Sequence, residues 1–247
     1  MEVLGPYSTS LFNTLRDVDD SSRHFDAQGG PHLISNALQK LFIEYDMTSL
    51  LGLVLVHRHF SMESQEVLVD VNGSSTPWSR EGAQVAADGS FEKYGGHVKP
   101  SSWLVSEGRL MPYEFCFVAP QALGAEGQVQ KYVEISPEFV SNFATILTAH
   151  GLMGVLGLCL LREPMRRAIE VTEGRANVTY PAPDDATFDS AKFLKTGWNY
   201  KTIQPADGTS PPFVQLVCNS SCYKPADTHI SGRHVSKSNQ QVILLIM

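Results

Sequence analysis

Leu50-Leu51-Gly52-Leu53-Val54-Leu55-Val56-His57-Arg58-His59 is the stretch on which the reading of this chain turns. From Leu50 to Val56 every residue is apolar or glycine, so both faces of an extended segment want cover, which marks a central strand rather than a half-exposed one. The polar triplet that follows marks where such a strand leaves the interior. Upstream, Leu33, Ala37, Leu38, Leu41 and Tyr45 recur at three- and four-residue steps, giving one apolar helical face over residues 31–45, with Pro31 suited to its first turn. Downstream, Glu66–Val71 reads as the hairpin partner of the buried strand, closed by an Asn72-Gly73 turn.

The second half repeats this order. Pro31-x3-Ser35-Asn36 recurs as Pro137-x3-Ser141-Asn142, and Leu51-Gly52-Leu53-x-Leu55 recurs as Leu156-Gly157-Leu158-x-Leu160. Residues 65–69 then correspond to residues 168–171, and Thr76-Pro77 roughly to Tyr180-Pro181. Duplication would bring the two buried strands together in one sheet about a pseudo-two-fold axis. Chance repetition of common residue types would leave them in separate sheets. The fold expected is α+β: a mixed, largely antiparallel sheet with helices packed on it, with helix-strand-strand units at about 31–77 and 137–181 if the duplication is real.

Around these units, residues 1–29 read as a peripheral arm of a single domain spanning 1–247, with a short helix near Leu11–Arg16 and a Gly29-Gly30-Pro31 end. Residues 74–112 show no clear period. Strands are expected at Tyr113–Val118, Gln130–Ile135, Phe213–Cys218 and Gln241–Ile246, and a second helix from Ser136-Pro137 to about Thr148.

Composition narrows the function classes. A net charge of -7 argues against a protein that lives on phosphate backbones, so nucleic acid is not an expected partner. No basic start with a sustained apolar run opens the chain, and the longest apolar run, Leu152–Leu161, is about half a membrane span. Four cysteines are too few for a disulfide scaffold, and Cys116 and Cys159 sit in apolar runs as small buried hydrophobes. The three glycosylation sequons, at Asn72, Asn177 and Asn219, carry little weight without a signal peptide, and the expectation is a cytoplasmic protein.

Chemistry concentrates at the end of the first strand. Side chains two apart on a strand share a face, so His57 and His59 project together, and Glu63 follows four residues later. Two imidazoles and a carboxylate suit iron or zinc with positions left open; without a metal, the same imidazoles suit proton transfer near neutral pH. The string Gly52-x4-His57-x-His59-x3-Glu63 is similar to the first metal-binding motif of the cupins. The similarity spans about a dozen residues, its glycine spacing is one short, and no second motif follows. A helix directly before the strand also argues against a small barrel of antiparallel strands. The plainer alternative is that the two histidines only mark where a core strand meets solvent.

Other candidates are weaker. Under duplication Arg162 takes the position of His57, and with Arg166 and Arg167 it could hold a carboxylate or phenolate beside the imidazoles, or simply form a solvated face with Glu163 and Glu170. Cys218, Cys222, His229 and His234 carry zinc-ligand chemistry, but the six residues between the pairs are too few for a standard finger. Trp78, His97, Trp103 and Tyr113 could line a ligand pocket, or pack loops onto the core. Dinucleotide, P-loop and nucleophile-elbow motifs are absent. The leading expectation is therefore a small-molecule enzyme built on His57 and His59, with Glu63 or Arg162 assisting. A binding or scaffold protein using the 74–112 region is the alternative, and a homo-oligomer closed by those aromatic loops is a third possibility.

Overall fold

The computed structural model describes residues 4–119, 135–161, 167–182, 191–206 and 209–224. Its helices are α1 (Thr9–Thr14), α2 (Val18–Ala27), α3 (Gly30–Ile34), α4 (Ala37–Glu44) and α5 (Pro137–Ala149). Ser8, Asp17 and Ser136 cap α1, α2 and α5 by accepting a backbone N–H of the first turn. The single helix expected over 31–45 is two. Asn36 leaves helical geometry at φ -130°, and the Ser35 hydroxyl and Asn36 amide donate to the carbonyls of Pro31 and His32, which a continuing helix would use.

Eleven strands are present among the described residues. They are β1 (Leu51–Leu55), β2 (Glu66–Val71), β3 (Ser74–Ser79), β4 (Phe91–Lys93), β5 (Gly96–Ser106), β6 (Arg109–Val118), β7 (Leu156–Leu160), β8 (Ala168–Glu173), β9 (Ala176–Pro181), β10 (Phe193–Ile203) and β11 (Phe213–Tyr223). Ten of them close a ring in the order β5-β6-β2-β3-β9-β8-β11-β10-β1-β7 and back to β5, with β4 added on the edge of β5. Only β2–β6 and β8–β11 pair parallel, so the sheet is mixed and largely antiparallel. The expectation against a barrel is corrected by this closure. A ten-stranded ring is wide, and helices cover only part of it.

Cover follows the strand alternation. Leu51, Leu53, Leu55, Leu156, Leu158, Trp103, Val105, Trp198 and Tyr200 pack with Leu38, Phe42, Phe139 and Phe143, so α2–α5 lie over the four neighbouring strands β5, β7, β1 and β10. Burying a set of this size drives the folding of that half of the sheet, at roughly 1.5–3 kcal/mol per large side chain. Residues 4–29, expected as a peripheral arm, send side chains into the core: Phe12, Leu15 and Phe25 are all buried, and Tyr7 meets Phe115 edge-on.

The two segments that echo each other in sequence are direct neighbours. β1 and β7 pair antiparallel with Leu53 opposite Leu158, Leu51 opposite Leu160 and Leu55 opposite Leu156, a register centred on one pair. The β3–β9 contact is a second such crossing, with Ser75 opposite Asn177. The later part of the sequence match slips, because Pro77 pairs with Leu68 whereas Pro181 pairs with Ala168 two positions earlier in its hairpin. The Asn72-Gly73 turn is as expected, both residues having positive φ (53° and 85°). Of the aperiodic region, 96–106 forms the long strand β5, a run covered on both faces through Trp103-Leu104-Val105. Gln130–Glu134 and Gln241–Ile246, expected as strand residues, lie outside the described residues, and Ile135 is not in a strand.

Candidate metal centre

β1 ends at Leu55, and the chain continues extended through Val56 to place His57 and His59 with ring centroids 4.6 Å apart. The pair is where the sequence put it, and it does not open onto solvent: His57 is 7% exposed and the His59 side chain 8%. His57 Nδ1 lies 2.7 Å from the Leu55 carbonyl, a contact only an N–H can satisfy, so the proton sits on Nδ1 and Nε2 presents a lone pair. That lone pair faces the Cys222 sulfur at 3.3 Å. His59 is held from the other side, its Nδ1 2.8 Å from the Thr172 hydroxyl, and its Nε2 stands 3.7 Å from Glu170 Oε2.

Glu170 and Cys222 come from β8 and β11, whose parallel register sets them side by side. The Cys222 thiol donates to Glu170 Oε2 at 2.9 Å, and the Ser220 hydroxyl donates to Oε1 at 2.7 Å. One donor atom from each of His57, His59, Glu170 and Cys222 therefore lies within 4.8 Å of the others, and together they could hold a metal ion.

The four groups shift one another's protonation. Burial pushes His57 down to about 4, helped by the neighbouring imidazole of His59, so it is neutral at physiological pH. Burial alone would raise Glu170, but the hydrogen bond and charge of His59 hold it well below the usual carboxylate range. Burial and the Glu170 carboxylate both push the Cys222 thiol far up. As anions the Cys222 thiolate and the Glu170 carboxylate would repel each other, and a cation between them would relieve that repulsion.

A second buried carboxyl, Glu114, lies on β6, five strands from β11 in either direction round the closed ring. Its charge and those of Glu170, His59 and Cys222 influence one another. Burial, then the Glu170 charge, raises it to about 7 against the hydrogen bond from Ser102 Oγ at 2.8 Å.

The remaining sequence candidates separate. The Glu63 side chain is 79% exposed and pairs with Arg175 at 3.6 Å; it is not in the donor cluster, and Glu170 stands where it was expected. Cys222 is in the cluster, but with His57, His59 and Glu170. Cys218 instead donates to the Ser220 carbonyl. Arg162, His229 and His234 lie outside the described residues. Trp78 packs against Tyr94 and Phe117, Trp103 is buried under the helices, Tyr113 is buried in the other core cluster, and His97 stands 3.9 Å from Glu92. These four do not share one wall.

Comparison with known proteins gives no match to a family model, to a curated protein or to a solved structure. The site thus has to be read from its own chemistry. No helix among the described residues is long and apolar enough to cross a membrane.

Proposed function

We propose that His57, His59, Glu170 and Cys222 bind a zinc-class divalent cation inside the barrel, and that the protein is a metal-dependent enzyme in which a small molecule joins these four as a fifth ligand. The observation that carries this reading is the contact of four different donors around one point: two fixed imidazoles, a thiol and a carboxylate. Zinc bonds of about 2.0–2.3 Å put tetrahedral ligands roughly 3.3–3.8 Å apart. The separations of 3.3 Å (His57–Cys222) and 3.7 Å (His59–Glu170) fall in that range, the 2.9 Å pair (Cys222–Glu170) must spread, and the remaining pairs lie within 4.8 Å. The orienting bonds from the Leu55 carbonyl to His57 and from Thr172 to His59 are the outer shell that metal-binding histidines characteristically carry.

The rival is a metal-free cysteine nucleophile with His57 as its base, suggested by the same 3.3 Å contact. It is disfavoured because Glu170, 2.9 Å from the sulfur, opposes the thiolate that such chemistry needs. A ligand pocket built on Trp78 and Trp103 is disfavoured because Trp103 is packed under the helices. The centred registers of β1–β7 and β3–β9 support reading the chain as a duplicated unit, with the metal held by two ligands from each half.

Metal analysis of the untagged protein tests the proposal. About one equivalent of zinc or iron is expected in the wild type, and less than a tenth of that in His59→Ala and Cys222→Ser at unchanged fold by circular dichroism. Equal metal content in all three would dismiss the site.

A further inference from the structure

Glu170 is the one ligand of the proposed centre with two oxygens to offer, and the structure divides them. Oε2 meets the donor cluster, 2.9 Å from the Cys222 sulfur and 3.7 Å from His59 Nε2. Oε1 accepts from the Ser220 hydroxyl at 2.7 Å. Ser220 and Cys222 stand two apart on β11 and share a face, and the parallel register with β8 lays the Glu170 carboxylate across both. Ser220 is held in turn. Its single proton goes to Glu170, so the Thr196 hydroxyl, 3.2 Å away and belonging to a residue only 1% exposed, is the donor to Ser220 Oγ. Thr196 lies on β10, so three neighbouring strands fix the orientation of one carboxylate.

We infer that Ser220, backed by Thr196, is a positioning residue that keeps Glu170 on the metal through Oε2 alone and so leaves the fifth position for the small molecule. The inference rests on the metal reading. A carboxylate holds a divalent ion through one oxygen or through both, and if Glu170 used both, it would itself become the fifth ligand. With Oε1 committed to Ser220, turning that oxygen toward the ion breaks a charge-assisted hydrogen bond and leaves the buried hydroxyl pair without its acceptor. Ser220 touches no other donor atom of the cluster, so its effect on the centre passes through Glu170. Its role is to set how many positions the protein fills, where the bonds to His57 and His59 set which ring nitrogens bind.

The probe is azide, titrated into the cobalt-substituted protein, with the visible ligand-field spectrum as the readout, because four-coordinate cobalt absorbs more strongly than five-coordinate. The wild type gives the strong four-coordinate spectrum, which azide converts to the weaker five-coordinate one. Ser220→Ala, still loaded with cobalt, gives the weaker spectrum before any azide is added and binds azide at least about tenfold less tightly. Ser220→Thr, which keeps the hydroxyl, restores both wild-type properties, and Thr196→Val lies between. A Ser220→Ala protein that holds cobalt with the wild-type spectrum and azide affinity overturns the role of Ser220 while leaving the metal centre standing. So does a wild-type spectrum that is already five-coordinate and indifferent to azide, or a Ser220→Ala protein that no longer holds cobalt, since the serine would then govern binding of the metal and not the number of its ligands. Failure of the wild type to take up cobalt, zinc or iron removes the centre, and this inference with it.

Discussion

The pairs β2–β6 and β8–β11 are the two parallel contacts of the ring. Each joins the first strand of a hairpin to a long strand, and in each the third residue of the hairpin strand is in register with a polar residue of the partner: Leu68 with Glu114, Glu170 with Cys222. In one the pair is an apolar side chain and a carboxyl tied to a serine; in the other it is a carboxylate and a thiol in contact. The strand direction is common to both, and the difference in chemistry lies in the side chains and in what reaches them. His57 and His59 reach only Glu170 and Cys222. A scaffold with two matching positions carries one donor cluster among the described residues.

The largest effects expected are those that erase this difference. Glu170→Leu gives the β8–β11 pair the apolar member of the β2–β6 pair. It should abolish metal uptake while the barrel still folds, because it removes a buried anion along with its partners' acceptor. Leu68→Ala, at 2% exposure, should do the reverse and cost about 2–5 kcal/mol in denaturant unfolding with metal content unchanged. Loss of metal in Leu68→Ala, or its retention in Glu170→Leu, would break the comparison.

Proton linkage separates the same two pairs in the metal-free protein. Glu114 has a folded value near 7, above its ordinary 4.5, so between those pH values the unfolded chain gives up its proton first and stability falls as pH rises. His57 is lowered from 6.5 to about 4, so across that window the unfolded chain binds the extra proton and stability falls as pH drops. The two slopes oppose each other. Glu114→Gln should therefore stabilise the protein at pH 8 by on the order of 2 kcal/mol and uncover a stability that rises steadily from pH 4 to 6.5. A pH profile parallel to wild type would show that the Glu114 carboxyl is not enclosed.

Much of the frame was legible before any coordinates. The covered run, which begins at Leu51 because Leu50 is exposed, the Asn72-Gly73 turn, the Ser136 cap and the histidine pair all rest on local rules. Ring closure is not local: the seam joins Trp103 to Leu158 and the site joins His57 to Cys222, 165 residues away. No spacing rule reaches that far, which is why a nearby carboxylate, Glu63, was matched to the histidines and Cys222 was matched to Cys218. One signal was available. Aligning the halves by their hairpins puts Glu170 against Leu68, and a charged residue at an apolar position of a repeated strand marks a departure from packing.

Glu63 supplies the smallest expected effect and the sharpest control. It and Glu66 flank Arg175 on the surface, where Glu66 is held below its ordinary range by the Arg175 hydrogen bond acting against partial burial. Such an exposed network gains little, because two mobile side chains must be ordered and water and salt screen the charges. Arg175→Ala should cost less than about 1 kcal/mol, and Glu63→Ala less again. Neither should alter metal content, since the Glu63 carboxylate is 79% exposed and paired with Arg175, apart from the four donor atoms. A metal deficit in Glu63→Ala would mean that the short sequence string, rather than the parallel contact of β8 with β11, sets the ligand sphere.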